Sequence, residues 1–335
     1  MIRRFLKTCA GMAAIAAVFL FSSCINDDQD DCGLNLRFRY DYNIKSADAF
    51  PAEVKNVTVF VFGDDGKYVQ SYAHTTEKFG TGYAMNIRGL KAGDYTFVCL
   101  ARDSVAYDTD KDFVFSEMKE GVSTVDDLTE RLTRDGRNTC DNRIAALYVA
   151  KKKVYVGTAP QTEVMSLMKC TNRMRVIIMP YRSGETTVTP DNFDIRIEGA
   201  SGWLTHDGER FKKEPVTYLP YHTGLYLADE KSRADDGTVD RAVVADLNVS
   251  RIFRDSNPRI VISDKRNGNR LLDMNLAWFL SLQGIGEHRQ EWSDQEYLDR
   301  QDYYTMTFFV DGDQFFMGKI IVNGWVLNLI DTDLG

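Results

Sequence analysis

Histidine and aspartate side chains are the groups in this chain whose types and spacing come nearest to those of a metal or catalytic site. The four histidines among 335 residues form no His-Glu-x-x-His pattern and no pair at metal-ligand spacing. Asp108, Asp110 and Asp112 have the spacing of the first ligands in a calcium loop. Phe113, however, stands where that loop needs glycine, and Lys119 stands where it needs a bidentate glutamate. We therefore predict a solvated acidic loop at this position and no metal site.

The signatures of nucleophilic and nucleotide-dependent enzymes do not occur in the sequence. It contains no Gly-x-Ser-x-Gly elbow and no phosphate-binding loop, and Gly284-Ile285-Gly286 lacks the third glycine of a dinucleotide fingerprint. Carboxylates from distant strands can still pair in space, and a linear sequence does not reveal such pairs. We expect no catalytic residue and no cofactor, and an enzyme is the least favoured class of function.

The cysteine whose surroundings predict a chemical modification is Cys24. Three basic residues among the first seven precede an apolar run from Ala10 to Phe21, which is too short to span a bilayer and is typical of a secretory signal. The run ends in Leu20-Phe21-Ser22-Ser23-Cys24, which resembles a bacterial lipobox. We expect residues 1–23 to be a signal peptide and the Cys24 thiol to carry lipid. An ordinary signal peptide with an incidental cysteine is the alternative.

An acidic segment follows Cys24. Four aspartates lie between Asp27 and Asp31, a composition that cannot pack and that predicts a solvated tether over residues 24–32. The run also resembles the surface-export signal of lipoproteins in some Gram-negative anaerobes, and a plain spacer is the alternative. Lipid and export signal together predict a surface-exposed protein anchored in the outer membrane.

The cysteines that remain after the tether begins are Cys32, Cys99, Cys140 and Cys170. An exported protein meets an oxidising compartment, and four cysteines allow three pairings. We favour Cys32 with Cys140, because both lie at predicted strand boundaries. No Cys-x-x-Cys occurs, so neither a redox dithiol nor a zinc ribbon is indicated.

Alternating apolar and polar residues predict that most of the chain is β-strand. The pattern is clear in Leu34–Tyr42, in Val54–Phe62 with its three valines on one face, and in Tyr95–Leu100. Many short strands separated by turn signals are typical of β-sandwiches. The length fits two in tandem, and we predict an N-terminal sandwich over 33–160 and a C-terminal sandwich over 161–335. The predicted class is all-β with minor helices.

Three segments show helical patterns. We predict a helix of modest length over Val125–Leu132 and a second over Leu271–Leu282, where apolar residues recur at helical spacing. Ser293 and Glu296 form a capping-box pattern that predicts the start of a third, short helix. A hairpin is predicted around Asp311-Gly312-Asp313.

Composition and charge restrict the partners. The chain is 44% hydrophobic with a net charge of −8, which is typical of a soluble folded domain and argues against a nucleic-acid partner. Exposed tryptophans could bind glycans. Trp278 and Trp325 lie in apolar stretches and are expected in the core, whereas Trp203 and Trp292 lie in polar surroundings and are more open candidates.

Six segments of the predicted sandwiches carry a family resemblance through their order and spacing. They are Phe38-Arg39-Tyr40-Asp41-Tyr42-Asn43, Val57-Thr58-Val59-Phe60-Val61-Phe62, Leu90-x-x-Gly93-x-Tyr95, Lys169-Cys170-Thr171-Asn172-Arg173-Met174, Gln295-Glu296-Tyr297-Leu298-Asp299-Arg300 and Val322-Asn323-Gly324-Trp325. With the lipobox and the acidic tether, they resemble the FimB-type fimbrial anchor lipoproteins, or minor-fimbrium anchors, of Gram-negative anaerobes. The resemblance covers nearly the whole mature chain.

The resemblance implies two transthyretin-like β-sandwiches, lipid at Cys24 and attachment to the outer membrane at the base of a fimbria. It implies fimbrial shaft or accessory subunits as partners and no catalytic residue. Pairing with the first shaft subunit by β-strand addition would satisfy a whole row of backbone groups. Val326–Ile330 is one candidate strand, although a core strand is the simpler interpretation. A fimbrial tip or accessory adhesin and a surface glycan-binding lipoprotein are the alternatives.

Overall fold

The computed structural model describes residues 33–106, 108–134, 136–181, 188–212, 214–227, 241–287, 291–311, 314–315, 320–323 and 325–327. Cys24, the tether and the signal peptide lie outside these ranges. Strands dominate the described residues, which confirms the predicted all-β fold with minor helices. The helices are α1 (Phe50–Glu53), α2 (Leu276–Glu287) and α3 (Asp294–Arg300), with 3₁₀ turns at Val125–Asp127 and Pro190–Asn192.

The strands are short and evenly distributed along the chain. Those of the first half are β1 (Leu34–Arg39), β2 (Asn56–Phe62), β3 (Tyr68–Thr75), β4 (Ala84–Ile87), β5 (Gly93–Arg102), β6 (Phe113–Phe115), β7 (Thr129–Leu132), β8 (Thr139–Cys140), β9 (Leu147–Val156), β10 (Gln161–Ser166) and β11 (Met168–Lys169). Those of the second half are β12 (Thr171–Pro180), β13 (Phe193–Ser201), β14 (Trp203–Thr205), β15 (Pro215–Tyr218), β16 (His222–Leu227), β17 (Arg241–Ser250), β18 (Arg259–Asp264), β19 (Arg270–Asn275), β20 (Tyr303–Asp311), β21 (Gln314–Phe315), β22 (Ile320–Val322) and β23 (Trp325–Leu327).

The first sandwich packs a three-stranded sheet, β10-β1-β4, against a five-stranded sheet, β11-β9-β5-β2-β3. Its core contains the predicted inward faces, with Val57, Val59 and Val61 from β2 and Phe97 and Cys99 from β5 all fully buried. Period-two alternation therefore selects the residues that face this core.

The opposite face of the five-stranded sheet is buried as well. Phe60 and Phe62 of β2, with Val98 and Leu100 of β5, belong to a second core that continues into the C-terminal half. The three-stranded sheet β14-β7-β6 contributes Leu132 and other side chains to that core. The outer face of the first sandwich's larger sheet is thus packed into the core of the second half, which disfavours a hinge between the sandwiches.

The second sandwich packs a seven-stranded sheet against a five-stranded sheet, β19-β18-β13-β15-β8. The larger sheet has the order β16-β17-β12-β20-β22-β23, and β21 pairs with β20. Its central strand β12 runs antiparallel to β17 and parallel to β20. Val310 pairs with Phe315 and Asp311 with Gln314, which confirms the predicted hairpin.

Several strands pair with the sandwich that lies on the other side of the predicted boundary at residue 160. β10 runs parallel to β1, and β11 pairs with β9 of the first sandwich. In the other direction, β8 pairs with β15 of the second sandwich. The division into 33–160 and 161–335 stays a prediction, and these pairings lead us to propose a boundary after Lys169.

The helix predicted over Val125–Leu132 is wrong. A single 3₁₀ turn, capped reciprocally by Thr124 and Asp127, precedes the strand β7. Leu128, Glu130 and Leu132 are buried at alternate positions, as on the inward face of a strand, and Thr129 is buried too. The charged type of Glu130 concealed this alternation, since glutamate is seldom a core residue.

The helix predicted over Leu271–Leu282 begins later than expected. Leu272 and Met274 are buried on strand β19, and α2 starts only at Leu276. The side-chain oxygen of Asn275 accepts a hydrogen bond from the Trp278 N–H at 2.8 Å, as an N-cap does. The Ser293 prediction is confirmed, because its hydroxyl accepts from the Glu296 N–H at 3.2 Å and starts α3.

Glu130 is fully buried on β7, and within the described residues neither of its carboxyl oxygens has a hydrogen-bond partner. Burial raises the pKa of this carboxyl well above its ordinary range, Arg102 opposes the shift and Asp207 adds to it. Burial of an ionised carboxylate without partners is costly, so the folded chain holds the group neutral.

Glu130→Gln should stabilise the fold at neutral pH. The unfolded chain ionises Glu130 above a pH of about 4.3 whereas the folded chain does not, so the contribution of Glu130 to wild-type stability falls as pH rises through that range. The gain in Tm should therefore grow from pH 4 to pH 8 and vanish at the acid end. Thermal unfolding measured across this range tests it, with the exposed Glu120→Gln as control; an equal gain at every pH would contradict the assignment.

Candidate functional site: the joint between the two sandwiches

Lys169, at the end of β11, lies where the chain passes from one sandwich to the other. Its side chain is only 4% exposed, and its ammonium lies 2.9 Å from Glu53 Oε2 of α1 in the first sandwich. The same ammonium pairs with the carboxylate of Asp302, which precedes β20 of the second. One buried cation is therefore shared by a carboxylate from each sandwich.

Two tyrosines enclose this cation on the side of the first sandwich. The Lys169 ammonium lies 5.9 Å from the ring centre of Tyr40 and 5.4 Å from that of Tyr148, within cation–π distance. The Tyr148 hydroxyl donates to Glu53 Oε2 at 2.8 Å. Burial, followed by the nearby Glu53 carboxylate, raises the pKa of Tyr148, so the phenol keeps the proton that it donates.

A second buried ion pair lies beside Cys170, the residue that follows Lys169. Arg251, which follows β17, makes a bidentate contact with Asp299 of α3 at 2.7 and 2.8 Å. Its remaining nitrogen donates to the Gly208 carbonyl at 3.0 Å, and its backbone N–H donates to the Cys170 carbonyl at 2.8 Å. The geometry matches the planar fork of arginine and fixes α3 against the strand that leaves the joint.

Two further arginines cross the joint nearer the surface. Arg173 donates to Asp103 Oδ2 of the first sandwich at 2.7 Å. Arg300 of α3 lies over the rings of Tyr42 at 4.3 Å and Trp292 at 4.7 Å. Segments 169–174 and 295–300, chosen in the sequence only for their family resemblance, thus face one another. Sequence patterns did not reveal that they carry the charges of the joint.

The tryptophans with described side chains pack against the chain itself. Trp203 lines a cleft of about 570 Å³, but Arg131 lies 4.7 Å and Lys212 4.9 Å from its ring centre. The indole N–H of Trp203 donates to Thr129 Oγ1 at 2.9 Å. Trp278 packs on the larger core, whereas the side chain of Trp325 lies outside the described residues.

The acidic loop does not gather ligands for an ion. The prediction of a solvated loop is wrong for Asp112, which is buried. Its carboxylate accepts a hydrogen bond from the Ala145 N–H at 2.6 Å. Asp108 pairs with Lys111 at 3.4 Å. Within the described residues, no three His, Cys, Asp or Glu side chains are grouped to hold a metal.

The predicted cysteine sites are tested only in part. Cys24 and Cys32 lie outside the described residues, so the lipid site and the pairing of Cys32 with Cys140 stay predictions. Cys140 is buried on β8, and Cys99 and Cys170 are buried in the two cores. Burial raises the pKa of the Cys99 and Cys170 thiols, which makes them unreactive core residues.

Gly208 shows how tightly the joint is packed. Its φ of +77° lies in the left-handed region, and a Cβ built there would lie 2.6 Å from Cys170 Sγ and 3.0 Å from Met168 Cε. Gly268 has the same φ of +77° but has nothing within 4 Å of such a Cβ. The two glycines therefore differ in packing and not in backbone conformation.

Gly208→Ala should destabilise the protein more than Gly268→Ala. Both variants carry the left-handed strain of about 1–2 kcal/mol, and overpacking against Cys170 and Met168 should add about 1–3 kcal/mol at Gly208 only. Urea unfolding of the two variants measures the difference. Equal losses would mean that the neighbours of Gly208 move aside freely.

Lys169→Met should loosen the joint. It leaves the carboxylates of Glu53 and Asp302 without their shared cation, and we expect a loss of about 2 kcal/mol in the free energy of unfolding. Lys55→Met is the matched control, because Lys55 also pairs with a glutamate, Glu77, but at the surface, where such a pair contributes less than about 1 kcal/mol. Scanning calorimetry measures the loss in each variant. Two separate unfolding transitions in Lys169→Met would show that the two sandwiches no longer unfold together.

None of the described helices is both long and apolar enough to cross a membrane.

Comparison with known families gives one match over most of the chain. The family model for fimbrillin-A associated anchor proteins Mfa1 and Mfa2 matches residues 28–331. The minor fimbrium anchoring subunit Mfa2 of Porphyromonas gingivalis is 23% identical over 226 residues. That match covers 63% of this chain and 63% of the relative, which is less than two thirds of its length.

Solved structures share the fold over nearly their full length. A candidate polysaccharide-binding protein from Bacteroides thetaiotaomicron is 30% identical with a TM-score of 0.75, over 90% of this chain and 99% of that chain. A candidate adhesin from the same organism is 24% identical with a TM-score of 0.76, over 88% and 97%. The fimbrial anchor protein Mfa2 of P. gingivalis is 17% identical with a TM-score of 0.64, over 88% and 98%; these last two likenesses concern the fold alone.

Proposed function

Because this chain belongs to the family of fimbrillin-A associated anchor proteins Mfa1 and Mfa2, we propose that it anchors a fimbria to the outer membrane. Lipid on Cys24 holds the protein in the membrane, and the folded sandwiches hold the first subunit of the shaft. The family is one of fimbrial anchor proteins and not of enzymes. The protein therefore acts by holding two structures together.

The observation that carries this proposal is the joint at Lys169. An anchor transmits pulling force from a filament to a membrane, and a bend between its two domains would absorb that force. Here a buried ammonium pairs with carboxylates of both sandwiches, and the first sandwich contributes one face of a sheet to the core of the second half. Burial of the ammonium weakens the screening of these pairs by salt, which supports the proposal that the two sandwiches bear load together.

Attachment through Cys24 fits the energetics of lipid anchors. Each buried CH₂ group contributes about 0.8 kcal/mol, so one acyl chain binds reversibly and several chains on one residue hold firmly. The acidic composition of residues 24–32 supports their proposed role as a solvated tether, which would let the sandwiches stand off the membrane surface.

Contact with the shaft is proposed to use strand addition, since the fold is made of sheets that end in outermost strands. A strand added to such an edge pairs its backbone along the whole length of the contact. The C-terminal candidate Val326–Ile330 overlaps β23, the outermost strand on one side of the seven-stranded sheet, and residues 328–330 lie outside the described ranges.

Two alternative functions stay open, a fimbrial tip or accessory adhesin and a glycan-binding lipoprotein. We favour the anchor because Trp203, Trp278 and Trp292, the tryptophans with described side chains, pack against the chain's own residues. Arg131 lies over the ring of Trp203 and Arg300 over that of Trp292, positions that a stacked sugar would otherwise take.

Cys24→Ala should abolish fatty-acid labelling of the protein and remove it, with any fimbriae built on it, from the outer membrane. The lipid would be attached to the thiol sulfur of Cys24, and alanine has no such atom. Labelling with an alkyne fatty acid, membrane fractionation and surface proteolysis measure the three effects. Cys32→Ala is the control, because it alters a cysteine of the same segment and leaves the lipobox intact. A labelled, surface-exposed Cys24→Ala protein would refute lipid anchoring through Cys24.

A further inference from the structure

The strand β16 is the outermost strand of the seven-stranded sheet on the side opposite β23. From His222 to Leu227 it pairs with β17 along one edge. Within the described residues, no strand pairs with its other edge. A row of backbone donors and acceptors on that edge is therefore available to a partner.

The core-facing side of the sheet continues onto β16, where the 3₁₀ turn Pro190–Asn192 lies close by and leaves the end of the strand exposed. Leu225 pairs directly with Val243, which is buried in the larger core, so both side chains lie on the same face of the sheet. Leu225 is nevertheless 36% exposed, and Leu227, two residues further on the same face, is 68% exposed. The seven-stranded sheet thus extends one strand beyond the interior of the sandwich.

The other face of β16 is held by its own side chains. The Tyr226 ring lies over Gly224, where a Cβ would approach it to 2.7 Å, and its hydroxyl lies 2.8 Å from His222 Nε2. Glycine at position 224 leaves room for this arrangement. Leu225 and Leu227 lie on the opposite face from Tyr226 and are exposed there.

Three of the other outermost strands, β19, β10 and β3, carry charged residues or expose only small or polar ones, whereas β16 does neither. Strand β19 carries Arg270 and Asp273, and β10 carries Glu163. The exposed residues of β3 are all small or polar: Ser71, Ala73, His74 and Thr75. Strand β16 contains no Lys, Arg, Asp, Glu or Pro, and it exposes three large apolar or aromatic residues in a row.

We propose that β16 is the edge that accepts an extended strand of a fimbrial subunit, with apolar residues at alternate positions. This proposal rests on the proposed anchor function, since membership of a fimbrillin-associated family makes a fimbrial subunit the partner to expect. The added strand would extend the seven-stranded sheet and pair with the backbone of residues 222–227. Its inward residues would pack beside Leu225 and Leu227 and remove their exposed surface from water.

Lysine substitutions on this edge test the proposal in the full-length lipoprotein. Leu225→Lys and Leu227→Lys put a charge where the partner's apolar residues would lie, and capture of the fimbrial subunit from intact cells should fall at least about tenfold. Val122→Lys is the matched control, because Val122 is 70% exposed against 68% for Leu227 and lies in a turn beside β3 of the first sandwich, on a different sheet from β16. Circular dichroism checks that all three variants fold.

The outcomes separate the edge from the anchor function. Equal capture by wild type, control and both edge variants would overturn the assignment of β16 and leave the anchor function standing. Failure of the wild-type protein to capture any fimbrial subunit, identified by mass spectrometry, would overturn both.

A photo-crosslinking amino acid in place of Tyr226 identifies the occupant directly. Crosslinks from position 226 to a fimbrial subunit support the proposal, and Tyr155, which is 63% exposed on β9, is the control position that should not crosslink to it. Crosslinks from position 226 to a second copy of this chain, or to another segment of the same copy, would mean that the edge is already used and would overturn the proposal.

Discussion

The ammonium of Lys169 and its two carboxylates set the constraint on which the arrangement of the sandwiches depends. A buried cation without anionic partners would be strongly unfavourable, so Glu53 and Asp302 must both reach it. One of them belongs to the first sandwich and the other to the second. The charge of Lys169 is therefore satisfied only when the two sandwiches are placed so that both carboxylates reach it, beside the tyrosines Tyr40 and Tyr148 of the first core.

This joint combines apolar and ionic contacts that act differently. The shared core contributes most of the favourable free energy, because burial of apolar surface scales with area and has no preferred direction. The ion pairs of Lys169 and Arg251 add direction, since their geometry is satisfied in one alignment only. Such a joint suits a protein that belongs to a family of anchors, where the position of one attachment point relative to the other matters.

Glu130 and β16 are two places where the chain departs from a simple sandwich. Glu130 puts a neutral carboxyl in the core of the sheet that connects the halves. Strand β16 leaves apolar side chains uncovered at the end of the largest sheet. The first lowers stability at neutral pH, and the second leaves a sheet edge open to pairing. Natural proteins depart from apolar cores and protected sheet edges mainly at places that serve a function or bear strain.

The sequence alone determined the all-β class, the inward faces of β2 and β5, the cap of α3 and the family resemblance. These depend on local periodicity and on residue types at fixed spacing, which a linear chain displays. Tertiary structure decided that Thr129–Leu132 is a strand, because pairing with β6 and β14 outweighs its local helical pattern. It also decided that β10 completes the first sandwich and that Lys169 meets Glu53 and Asp302, which are 116 and 133 residues away in the chain. Contacts between such distant residues depend on how the sheets pack, and no local pattern encodes them.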